Sequence, residues 1–334
     1  MKSRSILFAL LASAFVAAAP VLRAQEPLAP QGAAAPAVAA EAQAKAAEAP
    51  AAAKVDIITP HITDAHAIEV PWPSLEEGFL TKEIELPRWA PVHIGSVEVD
   101  LSPTKHVVML LVAAMLACLI LVGAARSQAR SARTGRPPKG YANAIEAMVL
   151  YIRNEVILPN VGHHGEGFVP YLLTIFFFIL FANLLGLVPY MSTATGNIAV
   201  TATLAILTFL VIEIAGMKAL GKGYINTIIF WPHDMPLMMR VPMSMILSPV
   251  ELLGKFTKPF ALTIRLFANM TAGHIVVLAF VGMIFTFHSF VVAPLPLAMA
   301  VAIMFLELMV AFLQAFIFTL LSSVFIGLVR ESHH

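Results

Sequence analysis

Residues 107–125 run nineteen positions without a charged side chain, and that run constrains the fold more than any other feature of the chain. A helix rises about 1.5 Å per residue, and about 20 apolar residues cross the hydrocarbon of a bilayer. Inside lipid every peptide N–H and C=O must find a partner within the protein, which leaves only helices and closed barrels. Uninterrupted runs of this length select helices. Similar stretches recur at 168–191 and 197–217, and then from about 241 to 292 and from about 297 to 329. With 59% hydrophobic and 12% charged residues, and a mean hydropathy of +0.83, the chain is too apolar for a soluble domain of 334 residues. The expected fold is an all-α polytopic membrane protein with about five transmembrane helices.

Charge sets its orientation. Arg126, Arg130, Arg133, Arg136 and Lys139 follow the first span as a basic loop, which the positive-inside rule places in the cytoplasm. The chain then enters from the periplasm. Residues 141–158 carry Ile145, Met148, Val149 and Ile152 at helical spacing, with Glu146, Arg153 and Glu155 elsewhere on the wheel. This pattern predicts an amphipathic helix at the cytoplasmic interface. No charge separates the second and third spans, and Lys218 and Lys222 mark the return to the cytoplasm. The last two helices are joined at Ala293-Pro-Leu-Pro296, read as a turn, and the final one extends about 50 Å against ~30 Å of hydrocarbon. They form a long, strongly tilted hairpin, suited to a large curved neighbour, and leave the C-terminus cytoplasmic.

The N-terminal third has a different composition. Lys2 and Arg4 precede an apolar stretch and small residues up to Ala24, so residues 1–24 read as a signal peptide, with an uncleaved anchor as the alternative. Residues 25–104 form a periplasmic extension, of which the Ala/Pro/Glu/Gln stretch 25–54 is disordered. Within 55–104, Ile84-Glu-Leu86 and Val97-Glu-Val99 are β-prone and Pro71, Pro73, Pro87 and Pro91 punctuate them, which fits a small strand-containing cap. Twelve acids against four bases in 25–104 suit an exported segment. Residues 105–334 are the membrane domain.

Several chemistries are disfavoured. The net charge of +1 indicates no nucleic-acid partner, and Cys118 is the sole cysteine, so neither a disulfide framework nor a thiolate metal site is expected. His163-His164-Gly-Glu166 lacks the H-E-x-x-H spacing of a zinc helix, and no G-x-x-x-x-G-K-[ST] loop occurs. His288, His333 and His334 read as interfacial or tail residues. No metal, nucleotide or other cofactor is expected.

One residue breaks the apolar pattern of the hairpin. Arg265 is the single cation in Pro259-Phe-Ala-Leu-Thr-Ile-Arg-Leu-Phe-Ala-Asn-Met-Thr-Ala-Gly-His274, and a mid-bilayer guanidinium costs at least ~2.5–3.5 kcal/mol on insertion scales. It therefore faces a wet cavity or a carboxylate, and the carboxylate belongs to another subunit. At 100° per residue Glu251 falls within about 40° of the Arg265 face and about 21 Å away along the axis, whereas His274 is turned by about 180°. On the last helix Glu307 and Gln314 are nearly eclipsed and form a polar stripe. By the topology above, His274 and Glu307 lie toward the periplasm and Glu251 toward the cytoplasm, with Arg265 between. Groups on two sides of a fixed cation imply two aqueous half-paths that do not join. Competing uses stand beside these: Glu251 pairing with Lys255 at i+4, Gln314 and Asn183 bonding helices together, Asn269 as a packing amide, and Glu213 as an interfacial acid near Lys218 or a member of the exit path.

The stretch Lys258-Pro-Phe-Ala-Leu-Thr-Ile-Arg-Leu-Phe-Ala-Asn-Met-Thr-Ala-Gly-His274, with Leu313-Gln-Ala-Phe-Ile-Phe318 and Asn183-Leu-Leu-Gly-Leu-Val-Pro189, closely resembles subunit a of the F-type ATP synthase over roughly residues 100–334. The resemblance implies the static half of a rotary proton motor in a bacterial inner membrane. Its partners would be a ring of c subunits, the b subunits of the peripheral stalk and the rest of the synthase. It also implies that Arg265 is the essential arginine, which attracts the deprotonated ring carboxylate and blocks a leak. His274 and Glu307 would couple in the periplasmic entry path, Asn183 and Gln314 would line or border it, and Glu251 would serve the cytoplasmic exit. Asn269 and Glu213 rank below these. The chain departs from the enterobacterial pattern, in which the acid occupies the His274 position and the histidine that of Glu307; here they are exchanged. It would be a non-catalytic subunit of a multisubunit enzyme. A self-contained secondary ion transporter is the alternative, although no internal repeat of the kind such proteins show is apparent.

Overall fold

The computed structural model describes residues 63–74, 78–89, 92–94, 97–100, 102–135, 140–162, 165–188, 191–227, 237–287 and 293–331. The expected signal peptide and disordered stretch fall outside them, as do His163, His164, His288, His333 and His334.

Two small antiparallel hairpins open the described chain: β1 (Ala67–Ser74) with β2 (Gly78–Glu85), and β3 (Val92–Ile94) with β4 (Val97–Val99). Ala67 pairs with Glu85 and Val92 with Val99. The two β-prone segments read from sequence thus contribute to strands, β2 and β4.

Among the described residues after Thr104 helix dominates, and five helices are long and apolar enough to cross a membrane. Helix α1 (Lys105–Thr134) ends at Gly135, whose φ of 65° is the left-handed conformation that closes helices without a Cβ penalty. The basic loop expected after the first span is corrected here: Arg126, Arg130 and Arg133 sit on the last turns of α1 itself. Arginine is a good helix former, and a cation in the last turn complements the helix dipole.

Helix α2 (Tyr141–Tyr151) continues through a π-helical stretch, Ile152–Ile157, into a short turn, Leu158–Val161. Its Glu146 accepts a hydrogen bond from Gln128 of α1, and Ile152, Val156, Ile157 and Val161 are buried. The amphipathic segment is thereby packed on the bundle. At its end, Arg330 donates from Nη1 to the Val161 carbonyl at 2.9 Å.

Helices α3 (Val169–Gly186) and α4 (Ile198–Leu220) are joined by a turn containing the 3-10 segment Ala194–Gly196. Asn197 caps α4 by accepting from the Ala199 N–H at 2.9 Å, which satisfies one of the unpaired donors of its first turn. The hairpin follows as α5 (Leu237–Phe287) and α6 (Pro294–Glu331). The predicted turn at 293–296 is shorter than expected, because Pro294 opens α6. Proline is suited to the first helical position, where no N–H is needed and its φ is already helical.

The core lies along α3. Over its most apolar window 56% is buried within the chain, against 6% for α5. Leu172, Phe176, Phe177 and Ile179 are fully enclosed, and Phe176 meets Phe177 and Phe312 edge-on at 5.1 and 5.9 Å between ring centroids. Helices α1 and α6 pack around α3, while α5 lies outermost with Val250, Leu253, Phe256, Phe260 and Ile264 exposed. A face this apolar has lipid or protein as its natural cover.

Candidate functional site

Arg265 points outward from an α5 face that is left exposed among the described residues. It is exposed, as are Ala261, Ala268, Asn269 and Ala272 around it, while Leu262, Leu266 and Met270 turn inward. Among the described residues no carboxylate forms an ion pair with Arg265. Small side chains on either side leave room for another backbone to come close, and the guanidinium is exposed on this face. Asn269, one turn along, shares this outer face.

On one side of Arg265 the polar residues are deeply buried. Glu307 is 7% and Gln314 4% exposed on α6. The Glu307 carboxylate lies against Gly273 so closely that a Cβ there would collide with its Oε1, Cδ and Cγ atoms. His274 is the next residue, which brings the acid and the imidazole into one neighbourhood across the α5–α6 interface. Asn183 of α3 is fully buried; its Oδ1 accepts from Thr195 Oγ1 at 2.7 Å and its Nδ2 donates to the Ala311 carbonyl at 3.3 Å. Ala311 is one helical turn from Glu307. Asn183 therefore ties three elements to the turn that carries the acid.

On the other side lies a cavity of about 200 Å³, lined by residues that include Glu213, Glu251, Lys255, Lys258 and Thr227. Lys255 is oriented on every side: Nζ donates to Glu213 Oε2 and Oε1 at 3.3 and 3.4 Å, to Tyr224 Oη at 2.9 Å and to Thr227 Oγ1 at 3.2 Å. It also stands 4.4 Å from the centre of the Tyr224 ring. Two sequence readings are corrected by this arrangement. Lys255 pairs with Glu213 across two helices in place of Glu251 at i−4, and Glu213 pairs with Lys255 in place of an interfacial role near Lys218. The tertiary approach of α4 prevails because it gives the ammonium an anion and two hydroxyls at once, where an i,i+4 pair supplies about 0.2–0.5 kcal/mol. Glu251 is exposed at the cavity wall, and Lys258 lies over the Phe325 ring at 4.9 Å.

All eight residues singled out in the sequence thus fall into three groups: Arg265 and Asn269 on the bare face; Asn183, His274, Glu307 and Gln314 in the buried cluster; Glu213 and Glu251 at the cavity. Lys255 had been considered only as a partner for Glu251. Tyr224 and Thr227 were not anticipated, because the 3-10 stretch Gly221–Thr227 carries no periodicity that would place its side chains.

The family model for the ATP synthase A chain matches residues 106–327. The chain belongs to the ATP synthase A chain family. Its relatives include "ATP synthase subunit a" of Chloroherpeton thalassium, 50% identical over 248 residues that cover 72% of each chain. "ATP synthase subunit a 2" of Chlorobaculum tepidum is 48% identical over 250 residues, 72% of this chain and 69% of that one. "ATP synthase subunit a" of a strain of Anaeromyxobacter sp. is 47% identical over 240 residues, 71% and 56% respectively. The ATP synthase A chain match begins at His106, so the strand-containing extension lies before it. As a member of this family the chain is a multi-pass membrane component of the F-type ATP synthase.

Proposed function

We propose that this subunit provides two proton half-channels against a ring of c subunits and couples proton passage to rotation and ATP synthesis, without catalysing covalent chemistry itself. The observation that carries the proposal is the axial order on α5: the cavity with Glu251 and Glu213, then Arg265 facing outward, then Gly273 and His274 against Glu307. At 1.5 Å per residue these levels are about 21 Å and about 12 Å from Arg265. A proton leaving one cluster cannot pass a fixed cation, so it must travel on a mobile carboxylate supplied by the neighbour.

In this reading Glu307 and His274 exchange protons on the entry side, with Asn183 and Gln314 holding water and helices in register. Glu251 takes the proton on the exit side, and Glu213, neutralised by Lys255, shares that cavity. Arg265 attracts the deprotonated ring carboxylate and releases it when a proton arrives. The cations at the end of α1, with Lys218 at the end of α4, support a cytoplasmic exit side in a bacterial inner membrane. The extension and entry side are then periplasmic, and the peripheral-stalk b subunits hold the chain static. Each proton crossing the membrane potential delivers about 2.3 kcal/mol per 100 mV, so several are needed for each ATP.

The test is Arg265→Ala in the assembled complex. Because Arg265 is exposed and makes no ion pair among the described residues, the variant assembles with the c ring while proton-driven ATP synthesis falls to background. Retained coupled synthesis overturns the reading.

A further inference from the structure

Asp64 is one of the points at which the extension touches the membrane domain. Asp64 Oδ1 lies 2.8 Å from His106 Nδ1 at the start of α1, and its Oδ2 accepts from Asn197 Nδ2 at 3.2 Å. His106 is only 3% exposed. Backbone bonds hold Asp64 there: Lys105 N–H donates to the Ala65 carbonyl at 2.9 Å, and Leu86 N–H to the His66 carbonyl at 2.8 Å. A buried imidazole facing a carboxylate at the rim of a membrane bundle is a donor–acceptor pair through which a proton can be relayed.

From this pair the contacts lead inward without a break in the protein. Asn197 follows the turn Ala194–Gly196, whose Thr195 hydroxyl donates to Asn183, whose amide donates to Ala311, one turn from Glu307. On the α5 side, Thr271 Oγ1 would stand 3.9 Å from a Cβ at Gly196, and Thr271 is three residues before His274. Along this seam three buried hydroxyl oxygens, those of Thr104, Thr193 and Thr271, meet no hydrogen-bond partner among the described residues. Buried polar atoms of this kind are normally satisfied by water. Hydroxyls of this kind can host water, so the seam offers a polar route from Asp64 toward Glu307.

We propose that Asp64 and His106 form the outer mouth of the entry path, so that the N-terminal extension supplies its first proton-exchanging carboxylate. The proposal rests on the half-channel reading above. The pair takes one proton from outer water and passes one to the water-bearing hydroxyls of the seam, and returns to its starting state after each transfer. The other titratable or charged groups around it are His66 and Asp100 on the extension, 4.0 Å apart between Nε2 and Oδ2, exposed Glu85 opposite Ala67, and buried Lys105 on α1. On α4 the facing group, Asn197, does not titrate.

The test reconstitutes the whole synthase in vesicles and varies pH on the entry side at a fixed driving force, with rates normalised to the amount of complex. Asp64→Asn and His106→Gln keep much of the polar contact, and each lowers synthesis about tenfold near pH 8 while leaving it close to wild type near pH 6, where protons are abundant. Asp64→Glu, which keeps the carboxylate, restores the profile. Equal losses at every entry-side pH, or wild-type profiles in both variants, would overturn the proposal and leave the extension as a clasp. Arg265→Ala in the same preparation separates the two claims: synthesis surviving that change refutes the half-channel reading itself, whereas its loss beside unaltered Asp64 and His106 variants refutes only the mouth.

Discussion

The carboxylate of Glu307 rests on the backbone of Gly273, with no room between them for a methyl group. Only glycine allows α6 to place this acid beside His274 at its present depth. In Gly273→Ala two effects compete. Alanine favours the helix by about 1 kcal/mol over glycine, and the collision falls on the outer half of a side chain that can rotate away. Folding is therefore expected to survive, with the acid displaced. Proton-driven ATP synthesis should drop to the level of Glu307→Gln while the melting temperature of the complex changes little. Wild-type activity in Gly273→Ala would show that the acid's position is not critical.

Opposite sides of Arg265 should respond differently to loss of a carboxylate. Glu307 is buried, and no second acid joins it in the described cluster. Glu251 shares its cavity with Glu213. Glu307→Gln is accordingly expected to slow proton uptake more than Glu251→Gln, and Glu251→Gln combined with Glu213→Gln to slow release more than either change alone. Proton flux through vesicles, measured separately in each direction, checks both. Equal effects of Glu307→Gln and Glu251→Gln would undo the assignment of sides.

Lys255 and Glu213 make the sharpest stability test. Their side chains are 8% and 17% exposed, so each is held away from most solvent. Removing one partner of such a pair costs about 3–5 kcal/mol, while replacing both with apolar groups of similar size is often neutral. Lys255→Met should lower the thermal stability of the subunit strongly, and Lys255→Met with Glu213→Leu should recover most of the loss. Thermal aggregation of the purified complex reads this directly. Additive losses in the double variant would mean the two charges act independently.

Much of this architecture was written in hydropathy. Long uncharged runs dictate helices whatever their neighbours, and a single arginine amid lipid-compatible residues marks itself out because its insertion cost demands an explanation. Helix ends were less legible: α1 ran on through Arg126 to Thr134 because charge does not stop a helix, and Pro294 began α6 where prolines had been read as a turn. Partnerships across distance were least legible. The i,i+4 rule offered Glu251 to Lys255, and only the packing of α4 on α5 shows that Glu213 reaches it first. Asp64 and His106 are 42 positions apart, and nothing local to either residue announces the other.

The end of α6 gives a prediction in which backbone, not a mobile side chain, stands in the way. A Cβ at Gly327 would strike the carbonyl oxygen of Asn160 and crowd its carbonyl carbon, where the turn Leu158–Val161 is already fastened by Arg330. Neither atom can rotate aside, so α6 must separate from the interfacial segment. The helix-propensity gain of about 1 kcal/mol is outweighed by overpacking of about 1–3 kcal/mol, with the Arg330 bond lost in addition. Gly254→Ala is the matched control, since a Cβ there meets nothing within 4 Å and only the propensity gain remains. Thermal melting of the two variants should therefore move in opposite directions, Gly327→Ala down and Gly254→Ala level or up. A Gly327→Ala protein as stable as wild type would mean that the interfacial segment is not anchored on α6 in the way its hydrogen bond implies.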